Sequence, residues 1–134
     1  MSRVYLIGSG PLPSGDPSEL GFPQLRTAQF LGPLLEAGHE VMLACLTRRG
    51  LDGPGDREAV GRPTTMTVAT SRGERRCDYV VVRPDEPGRF LALRDHRRDF
   101  APDVTVTAGP FLPMAAGARA AGDEPLWIDV PGDP

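Results

Sequence analysis

Apolar positions fall in short unbroken runs separated by Gly, Pro and charged residues. Val4-Tyr5-Leu6-Ile7 is one run, stopped by Gly8-Ser9-Gly10-Pro11, and Glu40-Val41-Met42-Leu43-Ala44-Cys45-Leu46 is a second. Runs of this length without polar alternation predict strands buried on both faces. Between them, residues 9–22 are crowded with Gly, Pro, Ser and Asp, which predicts a long loop. From Pro23 the spacing turns helical: Ala28, Leu31, Leu35 and Gly38 share one face, with Phe30 and Leu34 beside it. Pro23 suits a first helical turn and Gly38 a C-terminal cap, whereas Pro33 predicts a kink or break near Gly32. Strand, loop, helix and strand in that order imply a parallel sheet.

Further along, residues 47–63 form a polar connector, Thr64 to Thr70 alternates weakly, and Cys77 to Arg83 is strongly β-like. Ser71-Arg72-Gly73-Glu74-Arg75 between them is a turn candidate, so residues 64–83 can pair as an antiparallel hairpin. Pro87 to Arg98 reads as a helix with Phe90, Leu91 and Leu93 turned inward, Arg94 facing water, and Arg97 and Arg98 favourably placed on the helix dipole. Asp103 to Thr107 is a strand, Leu112 to Ala121 an Ala-rich helix, and Leu126 to Val130 a last strand. The fold class expected is α/β: a Rossmann-like three-layer sandwich with a mostly parallel sheet, spanning 1–134 as a single domain. Pro131-Gly132-Asp133-Pro134 follows the last strand where a covering helix is normally found, so the chain is expected to be the incomplete first half of a larger protein.

Composition narrows the chemistry. The chain has 134 residues, 40% hydrophobic and 25% charged, within the range of one soluble domain. Its 16 Gly and 15 Pro follow no period, which excludes a collagen-like chain. All 15 basic residues are Arg, so Schiff-base lysines, phosphate-loop lysines and Ser-Lys dyads are excluded. A net charge of −3 argues against a nucleic-acid partner. No apolar run is long enough for a membrane span, the start lacks the pattern of a signal peptide, and the expected compartment is the cytoplasm. Cys45 and Cys77 both lie in apolar runs and are expected as buried free thiols.

In open α/β sheets ligands bind beyond the carboxyl ends of the strands. Those ends carry Gly8-Ser9-Gly10, Thr47-Arg48-Arg49, Thr107-Ala108-Gly109 and Asp129. The glycine pair falls short of a dinucleotide fingerprint, because position 13 is Pro and the helix begins a dozen residues late. Gly8, Ser9 and Gly10 then either admit a sugar or diphosphate close to the backbone or simply make a tight turn. Arg48-Arg49 has a claim on a phosphate, with a solvated surface pair as the alternative. Asp129 is the candidate catalytic carboxylate, as a base or sugar-hydroxyl ligand, with loop fixation as the alternative. His39 is expected in a turn and His96 on a solvated helix face, neither at metal-ligand spacing.

Three segments in order carry a resemblance: the first strand with Gly8-Ser9-Gly10 and its loop, then Gly21-Phe22-Pro23-Gln24-Leu25-Arg26-Thr27-Ala28-Gln29-Phe30, then Leu34-Leu35-Glu36-Ala37-Gly38-His39-Glu40-Val41. Together with Asp99-Phe100-Ala101-Pro102-Asp103-Val104 and Trp127-Ile128-Asp129-Val130-Pro131-Gly132-Asp133-Pro134, the chain resembles the N-terminal, acceptor-side half of a GT-B glycosyltransferase of the family 4 kind. That resemblance implies sugar transfer from a nucleotide-sugar donor to an acceptor, with the donor's nucleotide held mainly by a C-terminal domain absent here. It implies substrate-binding roles for Gly8, Ser9, Gly10 and Gly109, no metal and no cofactor, and no turnover by this half alone. Where many retaining members carry a His, this chain has Thr107-Ala108-Gly109. The alternative is a stand-alone, non-catalytic α/β binding or regulatory module.

Overall fold

The structure, a computed structural model, describes residues 2–9, 22–47, 59–83, 88–108 and 124–128. The described elements are β1 (Arg3–Ser9), α1 (Phe22–Glu36), β2 (Glu40–Leu46), β3 (Thr64–Thr70), β4 (Gly73–Val82), α2 (Arg89–Phe100), β5 (Val104–Thr107) and β6 (Leu126–Ile128). The expected helix over 112–121 lies outside the described residues.

The strands form one six-stranded sheet in the order β3-β4-β2-β1-β5-β6. Every pairing is parallel except β3 with β4, so the sheet is mostly parallel and ends on the antiparallel hairpin expected from the turn residues. The parallel strands are compatible with a Rossmann-like arrangement. The chain moves outward from β1 through β2 to β4, then returns to the other side of β1 for β5 and β6. The reversal falls between β1 and β5, where an open α/β sheet leaves a crevice at its carboxyl edge.

The unbroken apolar runs explain this sheet, because each central strand buries both of its faces. Val4 and Leu6 of β1 join Leu43, Cys45, Cys77, Val81 and Val106 in one buried cluster, to which α1 contributes Leu31 and Leu35. Tyr5 and Ile7 point the other way and join Met42, Ala44, Val80 and Val82, to which α2 contributes Leu93 and Phe100. β3 alternates instead, its even-numbered residues half-buried and Thr65, Thr67 and Ala69 exposed. That is the pattern of an edge strand with one face on the core.

Several expectations need correction. Gly8 and Ser9 do not stop the first strand: they pair with Cys45 and Leu46 and extend β1 to its carboxyl end. Helix α1 runs continuously past Pro33. Its buried stripe is Thr27, Leu31 and Leu35, with Ala28 only half-buried. It ends in a Schellman motif, with Gly38 at φ 85°, its N–H donating to the Leu35 carbonyl and the His39 N–H donating to that of Leu34. Among the described side chains of α2 the inward apolar residues are Leu93 and Phe100, a helical two-turn spacing, and Leu91 is 56% exposed; Phe90's side chain lies outside the described residues. The strand extends beyond the β-like run that starts at Cys77: β4 begins at Gly73, directly after the two-residue turn Ser71-Arg72.

The amino edge of the sheet is tied by local chemistry. Arg3 Nε and Nη2 donate to the Phe100 carbonyl at 3.0 and 2.6 Å, its Nη1 meets Glu40 at 2.7 Å, and its guanidinium lies over the Phe100 ring. These contacts clamp the C-terminus of α2. There Ala101 sits at φ 53°, and its N–H closes the helix by donating to the Arg97 carbonyl. A left-handed conformation is strained for Ala and free for Gly. Ala101→Gly is therefore expected to raise stability by about 0.5–1 kcal/mol in urea melts, the relief of strain exceeding the added unfolded-state entropy.

Candidate functional site

The carboxyl edge brings together β1, β2, β4 and β5. Ser9, Leu46 and Val82 lie in register across the first three strands, and Ile7 pairs with Thr107 on the fourth. The Ala108 N–H donates to the Ile7 carbonyl at 2.8 Å, which sets Ala108 beside the Gly8-Ser9 step. The structure therefore places Gly8 and Ser9 at the reversal point. Gly10, Gly109 and Asp129, and the Arg48-Arg49 pair, lie outside the described residues.

The reason for glycine at position 8 is packing. Thr27, 0% exposed, projects from α1 onto the strand. A Cβ at Gly8 would stand 2.5 Å from both Thr27 Cγ2 and Oγ1. Thr27 Oγ1 accepts the Ser9 N–H at 3.1 Å and donates to the Ser9 carbonyl at 3.4 Å. Thr27 thus closes the α1 side of the rim and fixes the direction in which Ser9 leaves the strand. A ligand at this edge would meet Ser9 and Ala108 from beyond the strand ends. The Cβ side of Gly8 is already filled by the chain itself.

A second feature of the edge escaped the sequence. Arg83 closes the Val80-Val81-Val82 run and is only 8% exposed, with Nη1 donating to the Thr47 carbonyl at 3.1 Å. Thr47 is buried too, and its N–H donates to the Val82 carbonyl at 3.2 Å. A buried guanidinium bridging two adjacent strand ends fixes the backbone at this edge and brings positive charge to it. Its signal in the sequence is an Arg set directly after the apolar run Val80-Val81-Val82.

The other titratable residues lie elsewhere. On the α2 face, Arg97 Nη2 meets Glu124 Oε2 at 2.6 Å, and Thr105 Oγ1 donates to Glu124 Oε1 at 3.1 Å. Burial pushes the Glu124 carboxyl upward, but its hydrogen bonds, led by that from Arg97, outweigh this and hold it below the usual range. Tyr5, buried beside this pair, donates to the Leu93 carbonyl at 3.3 Å, and burial lifts its phenol above the ordinary value against the pull of Arg97. Arg97 is therefore an inner ion-pair partner rather than a solvated dipole charge. His39 Nδ1 accepts the Ser2 N–H at 3.0 Å, a turn histidine at the amino edge, remote from the rim. His96, expected to be solvated, is half-buried, and its Nδ1 is buried with no hydrogen-bond partner among the described residues.

Cys45 and Cys77 are free and buried, as their apolar runs implied. Burial, aided by the neighbouring Asp78 charge, pushes the Cys77 thiol up to about 12. Native protein at pH 8 is expected to resist iodoacetamide at Cys77 and to take up the label there only after urea unfolding, which intact-mass and peptide spectra would register. Rapid labelling of Cys77 in the folded protein would contradict its placement.

The chain matches no protein-family model, no curated protein and no solved structure. Among the described residues, no helix is long and apolar enough to cross a membrane.

Proposed function

We propose that the chain is the acceptor-side half of a nucleotide-sugar glycosyltransferase, a Rossmann-like three-layer sandwich whose carboxyl edge forms one wall of a sugar-binding cleft. The observation that carries this reading is the reversal of strand order beside β1, with the Gly8-Ser9 step and Ala108 meeting at that point. The ordered resemblance of the glycine-containing first strand, the Gly38-His39-Glu40-Val41 turn and the Pro102-Asp103-Val104 segment supports it. In this reading the Ser9 hydroxyl and the Ala108 carbonyl are offered to sugar hydroxyls, the Ser9 amide and the Ala108 N–H being engaged within the chain. Gly10 and Gly109 are further substrate-binding candidates, and Asp129 is the candidate base. Arg83 and Thr47 hold the neighbouring strand ends rigid, which limits the reorganisation a bound sugar would demand. In enzymes of the kind the chain resembles, the donor's nucleotide is held mainly by the second half, and closure of the two halves excludes water from the cleft.

A second reading, a non-catalytic α/β module, is favoured by one observation: Thr27 fully accounts for glycine at position 8 without any ligand. Equilibrium binding separates the two. The first reading predicts saturable binding of a hexose or a nucleotide hexose, abolished by Ser9→Trp, which fills the crevice without entering the core. If panels of free hexoses and of uridine, guanosine and adenosine diphosphate hexoses show no saturable binding, or binding indifferent to Ser9→Trp, the glycosyltransferase reading fails.

A further inference from the structure

The two edges of the sheet are unlike. β6 is three residues long, whereas β3 runs for seven residues, Thr64-Thr65-Met66-Thr67-Val68-Ala69-Thr70, and among the described residues its outer side has no neighbouring strand. Exposed edges are normally blunted by charged side chains, proline, a bulge or shortness. β3 has none of these: it contains no charged residue and no proline, and its register with β4 is one-to-one from Thr64–Tyr79 to Thr70–Gly73. Four of its seven residues are Thr and one is Val, types that favour the extended backbone.

We infer that β3 is the contact by which two copies of this chain pair edge to edge, antiparallel about a two-fold axis at Thr67. The two-residue turn makes Thr70 and Gly73 a hydrogen-bonded pair. By alternation the N–H and C=O groups of Thr65, Thr67 and Ala69 point away from β4, outward. Centred on Thr67, those groups are self-complementary. Thr67 meets Thr67 of the second copy, and Thr65 meets its Ala69. Side chains match as well: Met66 faces the second copy's Val68, apolar against apolar on the α1 face, and Thr64 faces Thr70. A symmetric contact must read the same from either side, and this strand does so residue by residue. The contact is narrow, so the pair is weak and concentration-dependent. Beyond the strand ends, the pairing brings exposed Arg62 toward the exposed Arg72 of the second copy, a repulsive element at each end. None of this depends on the sugar-transfer reading, since the β3 edge lies far across the sheet from β5.

Sedimentation equilibrium over a concentration series tests the inference on the full chain. A monomer–dimer equilibrium is expected. Thr67→Lys, which sets two ammonium groups against each other at the axis, is expected to leave monomer only, with an unchanged melting midpoint. Arg62→Glu replaces both end repulsions with opposite-charge pairs and is expected to tighten the dimer roughly fivefold. Because it strengthens rather than removes the contact, it decides the matter even if Thr67→Lys fails to fold. A chain monomeric at all concentrations, or a dimer whose strength Arg62→Glu leaves unchanged, overturns the pairing.

Discussion

Gly8→Ala is expected to destabilise the protein by about 2–3 kcal/mol, in the range of overpacked cores. The sign is not obvious, because replacing Gly by Ala in a strand ordinarily stabilises by roughly 0.5–1 kcal/mol through unfolded-state entropy. Here the added carbon would lie 2.5 Å from two side-chain atoms of Thr27, which is fully buried and cannot swing away. Either α1 lifts from β1 or the Thr27–Ser9 hydrogen bonds break, and each outcome outweighs the entropic gain. Thermal melts should show a midpoint lower by on the order of 10 °C. Thr27→Ala alone loses the bond that satisfies the Ser9 N–H, at a cost of about 1–2 kcal/mol. Combined with Gly8→Ala it removes both clashing atoms, so the double variant should be less unstable than the sum of the singles. Additive losses would mean that Gly8 and Thr27 are not the packing pair described.

The second large effect is at Glu124. Its side chain is 5% exposed and that of Arg97 is 11% exposed, so removing one partner takes away the main counter-charge of an inner ionised group. Glu124→Ala is expected to cost about 3 kcal/mol, whereas replacing both residues by Leu and Met should come close to the parent stability. The pH dependence follows from the direction of the shift. Glu124 is held below its unfolded value, so its contribution is complete above the unfolded carboxyl range of about 4.3 and fades as the pH falls through the folded value. Urea midpoints at pH 7 and pH 3 should therefore differ more for the parent than for Glu124→Ala. An equal acid loss in both would show that the pair carries no such linkage.

Much of the fold was legible because unbroken apolar runs have few structural uses. The run from Glu40 to Leu46 reads as a buried strand from its composition alone, and β2 begins and ends where that run does. The hairpin was legible from Ser71-Arg72 between β-prone segments. What escaped were contacts set by packing rather than pattern. Thr27 looks like a solvated helix residue until α1 is laid against a strand lacking a side chain at position 8. The same holds for Arg97, whose partner Glu124 lies 27 residues away on the lead-in to β6. Leu91 misled because three apolar residues within four positions cannot all face one side of a helix, and Leu93 and Phe100 took the inner face. At the rim, Gly8 and Ser9 were legible as a strand end, but the reason for the glycine was not, since a tight turn and a ligand approach demand the same residue that a close helix does.

The central claim is that ligand is received at the carboxyl edge beside the reversal of strand order. Amide chemical shifts of the 15N-labelled chain, followed during titration with hexoses and nucleotide hexoses, test it most directly. The account predicts that the largest changes fall on Gly8, Ser9, Thr47 and Ala108. Changes centred instead on Arg3, His39 and Asp103 at the amino edge, or none at saturating sugar, would contradict it.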